Sequence, residues 1–151
     1  MYKKYLFLDK NGGVVSSIEI PARIPILEFG GDVFTAGQPS YLQIGNNLFL
    51  GPSGAIDDGI RHSCNPNCCA KILGKRAILY SLYVILEGME LTFDYSTTST
   101  DTSSSWQMSC TCGYINCRKV ISGVSSLSPE QYKDYNSKGL LPLYITNPIF
   151  K

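Results

Sequence analysis

Three closely spaced cysteines carry the strongest chemical signal in this chain of 151 residues. Cys110, Cys112 and Cys117 lie within C-T-C-G-Y-I-N-C, where Gly113 frees the backbone to turn and bring the last sulfur back towards the first two. A tetrahedral zinc ion takes four such ligands, and this run supplies three. The fourth must come from elsewhere in the chain, and Cys64, in the segment R-H-S-C-N-P-N, is a candidate.

Disulfide bonds are the main alternative, because the chain holds six cysteines. Residues 1–9 are interrupted by charges and match neither a signal peptide nor a membrane-spanning helix. We therefore expect an intracellular protein, cytoplasmic or nuclear and without membrane contact, whose reduced thiols favour zinc. Metal-free buried cysteines are a plainer interpretation of the cluster, and core positions are favoured for the adjacent Cys68 and Cys69.

Two other segments carry polar groups whose role the spacing leaves open. Tyr95 ends the run E-L-T-F-D-Y, and it is either a buried tyrosine at the end of an edge strand or a phenol that orients a nucleophile in a pocket. His62 is the one histidine of the sequence, so a catalytic triad has no support. Spacing alone leaves the segment around His62 unassigned.

Short strands must position these residues, because β-branched and aromatic runs bounded by Gly, Pro, Asn or Asp recur along the chain. The runs predict strands at residues 4–8, 14–18, 24–29, 48–50, 77–86 and 90–93. Ser128 and Pro129 predict the start of a helix that ends before Gly139. The Ser/Thr-rich residues 96–105 predict a mobile loop or hinge, and residues 140–150 an extended apolar tail.

The composition indicates one ordinary globular domain. Hydrophobic residues make up 44% of the chain and charged residues 17%, which excludes a disordered chain. The net charge is +1 and no run of Lys or Arg occurs, so direct binding of nucleic acid is not expected.

Taken in order, the motifs resemble those of a SET-domain protein-lysine methyltransferase. The family pairs N-H-S-C-x-P-N with E-L-T-F-D-Y and often adds a post-SET C-x-C-x4-C cluster; this chain has R-H-S-C-N-P-N, E-L-T-F-D-Y and C-T-C-G-Y-I-N-C-R. K-N-G-G-V-V, I-P-A and E-F-G-G-D near the N-terminus match more loosely. The short segment between the two SET halves is similar to that of small stand-alone SET proteins. The resemblance covers about residues 4–120.

The resemblance implies a fold that is mostly β. It is the SET-domain β-clip fold of small sheets, with the two central motifs threaded as a pseudoknot, short helices and a C-terminal post-SET zinc segment. The chain would divide into a SET domain at residues 4–96, a post-SET segment at 97–120, and a C-terminal helix and tail at 121–151 that pack on the same domain.

The same resemblance implies transfer of a methyl group from S-adenosylmethionine to a lysine side chain of a protein, such as a histone or another basic protein. Tyr95 would be the catalytic phenol. A structural Zn2+ would be held by Cys64, Cys110, Cys112 and Cys117. The cofactor-binding residues would be Gly12, Gly13, Val14, Arg61, His62, Tyr95 and Trp106, although simple packing explains Trp106 equally well.

Two positions depart from the family pattern. Arg61 replaces an asparagine that helps to hold the cofactor, and arginine is long enough either to reach the cofactor carboxylate or to block the pocket. Phe29 replaces a tyrosine and removes a hydroxyl. The alternatives to an enzyme are a SET-like zinc module that binds a peptide or protein without turnover, and a structural zinc protein unrelated to SET. The number of methyl groups added is left open.

Overall fold

The computed structural model describes residues 1–101 and 106–147. Short strands dominate this part of the chain, with 3-10 turns among them and two helices after the last strand. The strands are β1 (Leu6–Leu8), β2 (Val14–Ser16), β3 (Pro25–Glu28), β4 (Val33–Phe34), β5 (Leu42–Gly45), β6 (Leu48–Leu50), β7 (Arg61–His62), β8 (Cys68–Leu73), β9 (Arg76–Ser81), β10 (Thr92–Phe93), β11 (Met108–Ser109) and β12 (Val120–Ile121). The helices are α1 (Pro129–Ser137) and α2 (Leu143–Thr146). The expected mostly β fold is confirmed.

The strands form small sheets of two or three members in the described residues. The three-stranded sheets have the orders β3-β9-β8 and β4-β6-β5, and the pairs are β1-β2, β7-β10 and β11-β12. Strands β8 and β9 make a tight hairpin that places Leu73 opposite Arg76. Gly74 occupies this turn with φ of 63°, a conformation that glycine adopts without strain.

The two central motifs lie side by side, as the resemblance requires. Strands β7 and β10 pair in parallel, with Arg61 opposite Thr92 and His62 opposite Phe93. The amide of Asn67 fastens the pair: its Nδ2 donates to the carbonyl of Glu90 at 2.8 Å, and its Oδ1 accepts from the backbone N–H of Thr92 at 3.0 Å. The side-chain amide of Asn67 thus makes backbone hydrogen bonds of the kind that a neighbouring strand would make.

The main core lies between the sheets and is built from aliphatic residues on their inner faces. Its fully buried members are Val14, Ile20, Ile26, Leu79, Ile85 and Leu91. Each such side chain contributes about 1.5–3 kcal/mol by leaving water. A second apolar cluster joins the C-terminal segment to the β8-β9 hairpin through Cys69, Leu127, Tyr135, Leu140, Leu141, Tyr144 and Ile145. The C-terminal segment therefore packs on the same sheet, with Cys69 in a core position as expected.

Helix α1 begins and ends where the sequence predicts. Ser128 Oγ accepts from the N–H of Gln131 at 3.1 Å, and Gln131 Oε1 accepts from the N–H of Ser128 at 3.1 Å, which forms a capping box. Pro129 occupies the first helical turn. Gly139 follows the helix with φ of 65°. No helix in the described ranges is long and apolar enough to cross a membrane.

The prediction of a mobile loop at residues 96–105 is wrong for the first residues of that range. Ser96, Thr97, Thr98 and Ser99 are each 5% exposed or less, because their polar groups find partners inside the protein. Ser96 Oγ donates to the carbonyl of Ser122 at 2.7 Å, for example. Residues 102–105 lie outside the described residues.

Other elements also differ from the sequence prediction: the strand predicted at residues 4–8 begins as a 3-10 turn at Lys3–Tyr5, and strand β8 was not predicted. The predicted strand at 77–86 ends at Ser81, because the backbone N–H of Leu82 turns to the carbonyl of Asn67. The predicted extended tail instead contains α2, whose side chains Tyr144 and Ile145 fill the second apolar cluster. Residues 148–151 of that tail lie outside the described residues.

Candidate active site and metal centre

Four cysteine sulfurs converge at one point. The Sγ atoms of Cys64, Cys110, Cys112 and Cys117 all lie within 4.8 Å of one another, and those of Cys64 and Cys110 are 3.8 Å apart. Four thiolates at a Zn–S distance of about 2.3 Å in a tetrahedron have sulfurs roughly 3.8 Å apart. The donor set therefore fits a closed zinc site, and all six cysteines are free of disulfides.

The local backbone explains this convergence. Strands β11 and β12 pair on either side of the cysteine run, and the N–H of Cys110 donates to the carbonyl of Lys119 at 2.7 Å. Gly113 has φ of 80°, which confirms the turn expected there. The backbone N–H of Cys117 then donates to the carbonyl of Tyr114 at 3.1 Å, which completes the turn. Cys64 enters from the segment after β7 and is 1% exposed.

The surroundings of the sulfurs shift their pKa values in opposite directions. Burial raises the pKa of Cys64 to about 12, so this thiol ionises at neutral pH only beside a positive charge. For Cys112, burial acts in the same direction, but backbone N–H groups and the neighbouring thiols outweigh it and lower the pKa to about 6. The N–H of Arg118 donates to the Sγ of Cys64 at 3.4 Å, a contact that supports a thiolate.

His62 connects the sulfur cluster to Tyr95. Its Nδ1 accepts from the backbone N–H of Tyr95 at 3.2 Å, so the ring hydrogen lies on Nε2, which is 3.3 Å from the Sγ of Cys64. Burial lowers the pKa of His62 to about 4, assisted by Arg118 and opposed by Asp94, so the ring is neutral. The side chain is 2% exposed. Any cofactor contact of His62 must therefore come mainly from its backbone.

Tyr95 is fixed by its ring and by its hydroxyl. The hydroxyl donates to the carbonyl of Ile60 at 2.6 Å, and the ring lies 4.8 Å from that of Phe93 and 5.4 Å from that of His62, centroid to centroid. Burial is the main cause that raises the pKa of Tyr95 to about 12. The phenol is therefore neutral at physiological pH, and it acts as a hydrogen-bond donor and not as a base.

Two cavities meet at Tyr95. The larger, of about 670 Å3, is lined by Arg61 and His62 and by part of the cysteine run. The smaller, of about 290 Å3, has aromatic walls that include Phe29, Tyr41, Phe93 and Trp106. Tyr95 and Met108 line both cavities. Tyr95 therefore borders both spaces and is not a tyrosine sealed in the core.

Charge differs between the two cavities. The larger has the guanidinium of Arg61 and the carboxylate of Glu90 on its lining, joined by a hydrogen bond of 2.6 Å. Among the described residues, the charged side chains on the smaller one are Asp57 and Asp58. Asp57 is already paired with Lys3 Nζ at 3.3 Å, so the negative charge on the smaller lining comes mainly from Asp58, whereas the larger cavity can accept a ligand that carries both charges.

The glycine turn lies against this ion pair. Arg61 Nη1 donates to the carbonyl of Asn11 at 3.2 Å. A Cβ on Gly13 would lie 2.6 Å from Arg61 Nη2 and 2.8 Å from the carboxyl carbon of Glu90, so a side chain there would displace the pair. Gly12 has φ of 82°, in the left-handed region.

The structure places the predicted cofactor-binding residues unevenly. Arg61, His62 and Tyr95 line the larger cavity, Gly13 lies beside Arg61, and Gly12 belongs to the same turn. The side chain of Val14 is fully buried in the main core. Trp106 lines the smaller cavity, where its Nε1 donates to Ser99 Oγ at 2.7 Å. The cofactor-binding role of each residue stays a prediction.

A buried ion pair beside the site has no counterpart in the sequence prediction. Arg118 makes two hydrogen bonds of 2.8 Å to the carboxylate of Asp94, whose side chain is 0% exposed. Both residues lie in motifs that carry the resemblance, Asp94 in F-D-Y and Arg118 directly after the last cysteine. A charged residue at the end of an apolar strand is the signal that would have singled out Asp94.

Comparison with known proteins identifies the family. A family model described as the SET domain matches residues 11–96. The histone-lysine N-methyltransferase ash1 of Drosophila melanogaster is 29% identical over 145 residues, which cover 82% of this chain and 6% of that protein. An H3 lysine-4 specific histone-lysine N-methyltransferase of Emericella nidulans is 30% identical over 129 residues, 72% of this chain and 10% of that protein. The chain thus spans a tenth or less of these relatives.

Solved structures show the same fold. The structure of KRYPTONITE in complex with mCHG DNA and SAH has a TM-score of 0.60 and 30% identity, over 76% of this chain and 28% of that chain. KRYPTONITE in complex with mCHH DNA, an H3(1-15) peptide and SAH has a TM-score of 0.62 and 24% identity, over 78% and 29%, and supports the fold alone. Because both are DNA complexes, the expectation of no nucleic-acid contact finds no support here.

The match to the SET model covers more than half of the chain, and within it the two central motifs pair as β7 and β10. The chain therefore belongs to the SET domain family.

Proposed function

We propose that this chain is an S-adenosylmethionine-dependent protein-lysine methyltransferase. The observation that carries the proposal is the position of Tyr95, whose side chain lines both the larger cavity and the aromatic smaller one. Transfer between a donor and an amine needs two binding spaces that meet at one point. The SET relatives that carry methyltransferase names, and a neighbouring structure with SAH, support the assignment.

The larger cavity suits the cofactor. Its volume of about 670 Å3 lies in the range of small-molecule sites. The ion pair of Arg61 and Glu90 can meet the carboxylate and ammonium of an amino-acid group, while Tyr83 and Tyr114 offer ring surface to an aromatic base. The lack of a side chain at Gly13 lets the Arg61–Glu90 pair pack directly against the glycine turn. S-adenosylmethionine would supply a methyl group on a positively charged sulfur.

The smaller cavity suits a lysine side chain. Aromatic walls accept the methylene stem and attract a cation, and Asp58 adds negative charge, whereas Asp57 is paired with Lys3. As the amine moves inward, the apolar surroundings lower its pKa and favour loss of its proton, which nucleophilic attack requires. We propose a histone or another basic protein as the substrate, in line with the names of the relatives.

Tyr95 orients the amine in this scheme. Since its pKa is raised to about 12, the phenol does not remove the proton of the ammonium group, which passes to solvent. The hydroxyl contacts the carbonyl of Ile60 at 2.6 Å, so two oxygens would lie close to the bound amine. Oxygens at this position can hold the amine and make weak C–H···O contacts with a methyl group in transit.

The four cysteines would hold a structural zinc ion. Four thiolates leave no open position for water or substrate, so the ion takes no part in the reaction. It would fasten the β11-β12 segment, which carries Met108, over the junction. The thiolates require a reducing compartment, in keeping with the intracellular location predicted from the sequence.

Methyl transfer from radiolabelled cofactor to a panel of basic proteins, followed by mass spectrometry, tests the proposal. Tyr95→Phe should lower kcat by about 100-fold or more, because it removes one of the two oxygens that would hold the amine at the reacting centre. Tyr132→Phe is the matched control, since Tyr132 packs at the edge of the C-terminal cluster. If titration with millimolar S-adenosylmethionine gave no heat and no thermal shift, the proposal would be contradicted.

The second candidate is a SET-like module that binds a peptide without turnover. The pairing of Arg61 with Glu90 in the space beside Gly13 favours it, because the pair occupies part of the larger cavity. This candidate predicts heat on titration with a basic peptide and none with the cofactor.

A further inference from the structure

We propose that helix α1, which follows the stretch matched by the SET model, helps to position Tyr95 for methyl transfer. Tyr135 and Arg118 are the positioning residues, and they act through the buried carboxylate of Asp94. The proposal rests on the proposed function of Tyr95. It adds the C-terminal segment to the machinery of a site whose motifs all lie upstream.

The centre of the arrangement is Asp94. Arg118 Nη1 donates to its Oδ2 and Nη2 to its Oδ1, each at 2.8 Å, which is a two-point contact between planar groups. The backbone N–H of Ser96 adds a third donor to Oδ1 at 3.1 Å. The side chains of Asp94 and Arg118 are 0% and 8% exposed. A carboxylate held from several directions in a dry site has one orientation.

Helix α1 supplies the remaining donor. The hydroxyl of Tyr135 donates to Asp94 Oδ2 at 3.1 Å, and Tyr135 is 8% exposed. Burial raises the pKa of Tyr135, so the hydroxyl keeps its hydrogen. Gln131, one turn earlier, accepts from Arg118 Nη1 at 3.4 Å with the same Oε1 that caps the helix. The helix thus contacts both members of the ion pair.

The contact reaches Tyr95 through the backbone. Asp94 is its immediate neighbour in the chain, and the N–H of Tyr95 points to His62 while its hydroxyl points to Ile60. The residue is therefore held at its own two polar groups and at the side chain that precedes it. A displacement of about 1 Å at a reacting group lowers rates on the order of 100-fold, so a small loss of order at Asp94 reaches kcat.

A purely stabilising helix would give a different result. Ile145→Val removes one methylene from the same C-terminal cluster, where Ile145 is 1% exposed, and does not touch Asp94. Tyr132→Phe removes a hydroxyl from the same helix. Compared with these variants, Tyr135→Phe separates loss of stability from loss of position.

The test measures four quantities for wild type and the three variants: melting temperature, zinc content, kcat with KM for each substrate, and amide exchange of the peptide that contains Tyr95. Tyr135→Phe should lower kcat about tenfold with KM for cofactor within about twofold, keep its zinc, and speed exchange at residues 92–97. Ile145→Val should lower the melting temperature by about 3 °C and leave kcat unchanged.

The proposal is overturned if Tyr135→Phe has the same kcat as wild type, or if Ile145→Val lowers kcat as much as Tyr135→Phe does. If Tyr135→Phe does not fold, Arg118→Lys takes its place, because lysine keeps the charge and loses the two-point contact. If the wild type transfers no methyl group, the proposed function fails. Amide exchange at residues 92–97 then decides by itself whether Tyr135 holds this segment.

Discussion

Arg61 has contacts to both elements that would surround the cofactor. Its guanidinium contacts Glu90, which precedes β10, and the carbonyl of Asn11 in the glycine turn. The side chains of Arg61 and Glu90 are 46% and 32% exposed, so the pair contributes at most about 1 kcal/mol to folding. Its main effect is therefore expected in ligand binding and not in stability.

Arg61→Asn restores the residue that the SET motif has at this position. We expect it to weaken cofactor binding about tenfold or more, because the charge-assisted hydrogen bond proposed between Arg61 and the cofactor carboxylate is lost. The free energy of unfolding should change by less than about 1 kcal/mol. Calorimetric titration measures the affinity. Glu90→Gln, which removes the carboxylate proposed to meet the cofactor ammonium, is the matched variant and should also weaken binding. Tighter binding by Arg61→Asn would show that the arginine blocks the pocket.

At the scale of elements, β11 and β12 depend on the sulfur cluster for their position. Each strand has two residues, and two residues of pairing do not make a stable sheet alone. Cys64, Cys110 and Ile121 form a small buried cluster on which Trp106 packs. Metal binding and folding of such a segment are coupled, with roughly 10–16 kcal/mol available from a structural zinc ion.

Removal of zinc should therefore loosen this segment and spare the rest of the fold. A chelator is expected to change the emission of Trp106, the single tryptophan of the chain, while the main core keeps its far-ultraviolet circular dichroism. Cys112→Ser should lower the zinc content, and Cys69→Ala, which alters a buried cysteine outside the cluster, should retain one ion per chain. Unchanged emission after complete removal of zinc would contradict this view.

At the scale of the whole molecule, local patterns were the predictable part. The cysteine turn, the start of α1 and several strands follow from short-range signals such as Gly113 and Ser128. Strand β8 was missed because its residues C-C-A-K-I-L lack alternating polarity. The contact of Arg118 with Asp94 joins residues 24 apart and depends on the packed fold, so no local signal reveals it. Ser96 and Thr97 are buried although their Ser/Thr-rich segment predicts a mobile loop, because their burial also depends on the packed fold.

The amide of Asn67 has a consequence for the order of folding. It bonds to Glu90 and Thr92 from the residue that precedes β8, so closure of the parallel pair β7-β10 is coupled to the β8-β9 hairpin. We expect this closure to follow the rate-limiting step, because contacts between distant segments are costly to form early. Asn67→Ala should then speed unfolding and leave the refolding rate nearly unchanged in stopped-flow measurements. If Asn67→Ala instead slowed refolding, the β7-β10 pair would belong to the folding nucleus and would close early in folding.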